Sequence, residues 1–153
     1  MAGVNLQWYG QNIMKLATEA NMDAMEKAAF YLEGEVKKYL SKAGTGVLYK
    51  RKRKGGTSYI EHRASKAGKP PAPNWGTLRS SITSVSNRKG LLVKGYVGSD
   101  LDKIAAKAEA GTNLEYGYYL EVGTTNIAKR PYLRPMLRKS HKKILEFFKT
   151  ANK

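Results

Sequence analysis

GQNIMKLATEANMDAMEKAAFYLEGEVKKYLS, Gly10 to Ser41, carries a sustained helical period, and the rest of the chain is organised around it. Met22, Met25, Ala29, Leu32, Val36 and Leu40 recur at intervals of three and four, which places them on one face. Ala17, Ala20, Ala24 and Ala28 form a flanking stripe of small residues that lets another element approach closely. Gly34 interrupts the stretch at roughly 1 kcal/mol relative to Ala, so a slight kink is expected there. Lys37, Lys38 and Lys42 complement the negative end of the helix dipole, and Gly44 is a natural stop.

Past this helix the character changes. Residues 43 to 75 hold five glycines, then Pro70, Pro71 and Pro73, and the basic run Lys50-Arg51-Lys52-Arg53-Lys54. No period is sustained, although Tyr49 and Tyr59-Ile60 suit the flanks of a hairpin. So long a stretch without regular structure points to a functional arm, and self-repulsion in the basic run favours an extended, flexible one.

Regular structure resumes with a single helical turn over Thr77 to Ile82. A hairpin follows from Ile82 to Asn87 and Leu91 to Ser99, joined at Arg88-Lys89-Gly90, with Leu91, Val93 and Val97 alternating onto one face. Asp100 suits the cap of a short helix through Ala110, closed by Gly111. Tyr116 to Gly123 reads as a strand or a short helix by pattern alone. A last helix is expected to start near Pro135, with Met136, Leu137, Ile144 and Phe147 or Phe148 inward. Arg138, Lys139, Lys142, Lys143 and Lys149 would face outward. The sum is one α+β domain over residues 1 to 153: long N-terminal helix, small antiparallel sheet, C-terminal helix, and a long basic loop at about 43 to 75.

The charge balance is unusual. Twenty-eight Lys and Arg stand against twelve Asp and Glu, a formal +16, which favours nucleic acid, acidic lipid or an acidic protein as a partner. There is no cysteine, so disulfides and thiolate metal sites are excluded. Met1 to Gly10 lacks the pattern of a signal peptide, and no run approaches the ~18 apolar residues of a membrane span. The chain is therefore expected to be soluble and to stay where it is made.

Chemistry-bearing residues are sparse. His62 and His141 are the only histidines, and neither sits among ligands at metal-site spacing. Ser80, Ser81, Ser84 and Ser86 have no general base nearby in sequence, and Gly44-Thr45-Gly46 lacks the rest of a phosphate-binding loop. No enzyme and no cofactor is expected. The basic run reads either as a phosphate contact or as a solvated loop that meets an acidic neighbour; no known DNA-binding motif accompanies it.

Two segments resemble a known family. His62 to Ile82 contains Ser65-Lys66-Ala67-Gly68-Lys69-Pro70-Pro71-Ala72, then Gly76-Thr77-Leu78-Arg79-Ser80-Ser81-Ile82. Tyr116 to Thr125 reads Tyr-Gly-Tyr-Tyr-Leu-Glu-Val-Gly-Thr-Thr, followed by Arg130-Pro131-Tyr132-Leu133-Arg134-Pro135-Met136-Leu137. Both are similar to signatures of bacteriophage tail-component, or head–tail joining, proteins of long-tailed double-stranded DNA phages, in the same order and between the same two helices. The chain departs from that pattern at Val122, Tyr132 and Asn74-Trp75.

The resemblance implies a structural virion protein of the neck, made in the bacterial host cytoplasm. It would form a ring, usually sixfold, that terminates or completes the tail and joins it to the head-closure ring. Implied partners are the chain itself, the head-closure or connector ring and the tail-tube or terminator protein, with possible non-specific contact to passing DNA and none to membrane. The residues assigned to such interfaces are Lys50, Arg51, Lys52, Arg53, Lys54, Tyr59, Tyr119, Glu121, Gly123, Thr124, Arg130, Pro131 and Arg134. The arm from Gly46 to Ala72 is expected to reach a neighbouring subunit or ring. Glu121, set in an aromatic-apolar run, is either exposed or buried against Arg130 or Arg134.

Overall fold

The computed structural model describes residues 10–52, 59–73, 76–100 and 116–151. Helix α1 spans Gly10–Leu40. It is followed by strands β1 (Leu48–Lys52) and β2 (Tyr59–Arg63), the short helix α2 (Thr77–Ser81), and strands β3 (Ile82–Lys89) and β4 (Leu92–Ser99). Helix α3 (Tyr116–Val122) and helix α4 (Leu133–Ala151) complete the described chain. The fold is α+β, with a long N-terminal helix, small antiparallel sheets and a C-terminal helix. The helix expected from Asp100 to Ala110 falls almost wholly outside the described residues.

Two separate hairpins replace the single sheet expected. Strands β3 and β4 pair from Ile82↔Ser99 to Lys89↔Leu92 around Gly90-Leu91, one residue tighter than the sequence suggests. Val93 and Val97 do share a face, but Leu91 sits in the turn and is exposed. The second hairpin lies in the stretch read as a loop: β1 and β2 pair from Leu48↔Arg63 to Lys52↔Tyr59. Its residues alternate too weakly in hydropathy to announce strands, because neither face is buried in a core.

Helix α1 is the spine. It packs on β3 and β4 along one side and against α4 along another. The two helices run antiparallel, since Val36 and Leu40 meet Met136 while Tyr31 stacks edge-on to Phe147 at 5.9 Å. The core is a cluster of Val36, Leu40, Leu78, Ile82, Tyr132 and Met136, with Leu32, Tyr39, Val97, Tyr116, Leu120 and Leu133 against it. Ala24, Ala28 and Ala29 are buried as close-approach residues, whereas Met22 and Met25 are only half-buried. The first two turns of α1 are exposed, Ala17 included, because they extend beyond the elements that cover the rest.

One polar contact pins α1 to the sheet. Glu33 accepts hydrogen bonds from Lys37 Nζ at 2.5 Å and from Ser84 Oγ at 2.6 Å. Burial pushes its carboxyl up, but the two donors outweigh burial and hold it below the usual value.

Helix α4 begins at Leu133, two residues before the start expected at Pro135. Its inward row is Leu133, Met136, Ser140, Ile144 and Phe147, so Leu137 turns outward and is 51% exposed. The inward row steps by three and four, and Leu137 lies at its edge, about 60° from its middle. Arg138, Lys139, His141, Lys142, Lys143 and Lys149 are exposed. Among the described residues no helix is long and apolar enough to cross a membrane.

Candidate functional site

The two signature segments fold into one node. Helix α3 carries Glu121 on its buried face, and the chain then reverses to bring the start of α4 back onto it. Gly123 makes the reversal possible: its φ is +82°, in the left-handed region that disfavours side chains, and its N–H donates to Tyr119 O at 2.8 Å. Thr124 closes the next turn, its Oγ1 accepting from the Asn126 and Ile127 amides at 3.3 and 3.0 Å. Arg130 N–H then donates to Leu120 O at 2.6 Å, and Pro131 leads into the helix.

Glu121 is buried and its carboxylate accepts three main-chain hydrogen bonds. Tyr132 N–H and Leu133 N–H donate to Oε2 at 2.7 and 3.0 Å, and Arg134 N–H donates to Oε1 at 3.0 Å. These are the amides that a helix start leaves without intrahelical partners. The next residue, Pro135, has no N–H to satisfy. Helix α4 has neither a Ser, Thr, Asp or Asn before Leu133 nor an acidic residue in its first turn. Glu121 supplies both from another helix, and its negative charge meets the positive end of the dipole.

This corrects the pairing expected from sequence. Glu121 is buried, but its donors among the described residues are backbone amides and not a guanidinium. Arg134 contributes its main chain while its side chain is exposed. Arg130 points elsewhere: its Nε donates to Ser65 O at 3.3 Å and a terminal nitrogen to Ala128 O at 3.5 Å. The cue in the sequence is a lone carboxylate in an apolar run, followed by a helix that lacks its own cap.

Arg130 ties the second signature segment to the first. Gly68 N–H also donates to Lys129 O at 2.9 Å, and Leu78 and Ile82 of the first segment pack with Tyr132 of the second. Among the described residues Tyr132 is the largest fully buried side chain, and it lies at the centre of the node. Its hydroxyl donates to Gly117 O at 3.3 Å and hydrogen bonds with Ser99. A Cβ at Gly117 would sit 2.9 Å from Ser99 Oγ and 3.1 Å from the Tyr132 hydroxyl, so only glycine lets α3 come this close. Tyr119 is half-buried, its ring edge-on to Tyr118 at 5.8 Å.

Burial raises the Tyr132 phenol above its ordinary value and, with the nearby Tyr132, pushes Tyr116 up to about 12. A raised phenol means that the folded state holds its proton after the unfolded chain has lost it. Stability is therefore fully present below about pH 10 and falls as pH rises through about 12. Urea midpoints at about pH 9 and about pH 11 should show this loss, and Tyr116→Phe should make it smaller.

The basic hairpin is a second, separate feature. Lys50, Lys52 and Tyr59 are exposed on β1 and β2, and Arg51 lies on β1 between the two lysines. Arg53 and Lys54 lie outside the described residues. The Lys50–Glu61 ion pair, 3.1 Å across the strands, is more than half exposed on both sides and adds little stability. The hairpin is anchored only at its base, by Gly46 N–H to Ala64 O at 2.7 Å and Ala64 N–H to Val47 O at 2.9 Å among the main-chain bonds. A two-stranded hairpin with one face exposed and the other only half-buried, at Ile60 and His62, is marginal in water, so it is suited to gain a partner.

No group of three or more His, Asp or Glu among the described residues is arranged to hold a metal ion. The geometry thus contains a rigid node that closes the fold and a charged hairpin standing off it. Compared with known proteins, the chain matches no family model, no curated protein and no solved structure.

Proposed function

We propose that this chain is a structural virion protein of a long-tailed phage, a subunit of a ring at the head–tail interface. The ring completes or terminates the tail and joins it to the head-closure ring. The observation that carries the reading is the node itself. Two segments that resemble the neck-protein signatures, some fifty residues apart, interlock through Gly68, Arg130, Leu78 and Tyr132. A chance likeness in two short segments has no reason to coincide with one folded unit. The node's glycines, carboxylate and proline are accounted for by folding, so the proposal assigns them no catalysis. The projecting hairpin is the part left over for partners.

A basic nucleic-acid-binding module is the second reading, favoured by the charge of +16 and the exposed hairpin lysines. Mass measurement of the purified protein, alone and mixed with its tail-tube and head-closure neighbours, separates the two. Ring-sized species or a complex with either neighbour is the expected result. A monomer that ignores both and binds duplex DNA at physiological salt overturns the neck assignment.

A further inference from the structure

The face of α1 opposite the core has no partner among the described residues. Leu16, Glu19, Asp23, Glu26 and Phe30 follow one another at intervals of three and four, and all are exposed. Leu16 is 66% and Phe30 74% exposed, large apolar groups for a surface helix. Between them stand three of the chain's twelve carboxylates, in a protein of net charge +16. None of the three has a cation partner among the described residues. The strip therefore carries three acids between its apolar ends, with the exposed Lys15 and Lys27 along its borders.

The outer face of the β1–β2 hairpin is its complement. The register pairs Leu48 with Arg63, Lys50 with Glu61 and Lys52 with Tyr59, so these six side chains share one face, and all are exposed. Three cations and one anion lie among Leu48 and Tyr59. The helix strip runs ~21 Å from Leu16 to Phe30, and each five-residue strand runs ~16 Å. The strands fit within the length of the strip, and the apolar groups and charge signs are complementary.

We infer that the hairpin of one copy docks on the Leu16–Phe30 face of α1 in a neighbouring copy. The two surfaces differ, so the contact is head-to-tail and generates a ring where its rotation closes. This deepens the neck reading by naming the subunit contact, and rests on it for closure of the ring. The strip is smaller than the roughly 800 Å² per partner of a standard stable interface, so a lone pair is weak and ring closure strengthens it. Unlike charges on exposed strips also make the contact salt-sensitive.

Charge reversal in the full chain tests this. One variant carries Glu19→Lys, Asp23→Lys and Glu26→Lys; the other carries Lys50→Glu and Lys52→Glu. Sedimentation in low salt should show wild-type oligomers, and each variant alone should self-associate roughly tenfold more weakly or worse. Their equimolar mixture should assemble again, because each supplies the face that the other lacks, and this also proves both folded. A wild type that stays monomeric in low salt, or a mixture that does, overturns the inference. Oligomers indifferent to both reversals overturn it too, while leaving the neck assignment to its own test with the neighbouring rings. A hairpin variant that loses a duplex DNA probe yet self-associates normally makes the hairpin a nucleic-acid arm instead.

Discussion

Glu121→Ala is expected to destabilise the protein by about 3 kcal/mol, far beyond an ordinary surface change. The substitution leaves the amides of Tyr132, Leu133 and Arg134 without their acceptor at a buried helix start. An unsatisfied buried donor costs about 1–3 kcal/mol, and the three losses overlap because water can enter once the carboxylate is gone. Glu121→Gln keeps one acceptor oxygen but turns an NH₂ group toward N–H donors and removes the charge at the dipole, for about 2 kcal/mol. Urea midpoints at an unchanged slope measure both. A Glu121→Gln protein that melts like wild type would sink the cap.

The second large effect is at Tyr132. Tyr132→Ala empties the centre of the core, where Val36, Leu78, Ile82 and Met136 converge, and should cost about 4 kcal/mol. Domains of this kind have roughly 5–15 kcal/mol in hand, so the variant stands near the edge of folding. Tyr132→Phe keeps the ring and removes only the hydroxyl that meets Gly117 O and Ser99, for about 1 kcal/mol. The ratio of the two is diagnostic. Nearly equal losses would mean that the hydroxyl network, and not the packed ring, holds the node together.

These two residues also show why the site was only partly legible. The aromatic-apolar run at Tyr116 to Val122 marks Glu121 as an oddity, but strand and helix fit the pattern equally well. Residues four apart share a face in either, but a helix holds them ~6 Å apart and a strand ~13 Å. Helix wins because Gly117 and Glu121 must both meet the one Tyr132. A search for the nearest opposite charge points to Arg130 and Arg134. Nothing local says that a helix start 11 to 13 residues away offers amides instead, although the missing cap before Leu133 hints at it. Leu137 is misplaced because it lies at the edge of the inward face, where the neighbouring elements and not the helical period decide burial.

What the sequence determines by itself is whatever rests on period and on backbone-specific residues. The 31 residues of α1, the turn at Thr77–Ser81, the β3–β4 hairpin and the charged outer face of α4 follow from spacing and from glycine and proline, because those effects act within a few residues. Tertiary structure decided the rest. Pairing of β1 with β2 depends on chain reversal at a weakly patterned segment. Capping of α4 by Glu121 and the meeting of Ser65 with Arg130 join residues 11 to 65 positions apart. Such contacts form only when the core around Tyr132 closes, since burial is what turns a stray carboxylate and three amides into a required pair.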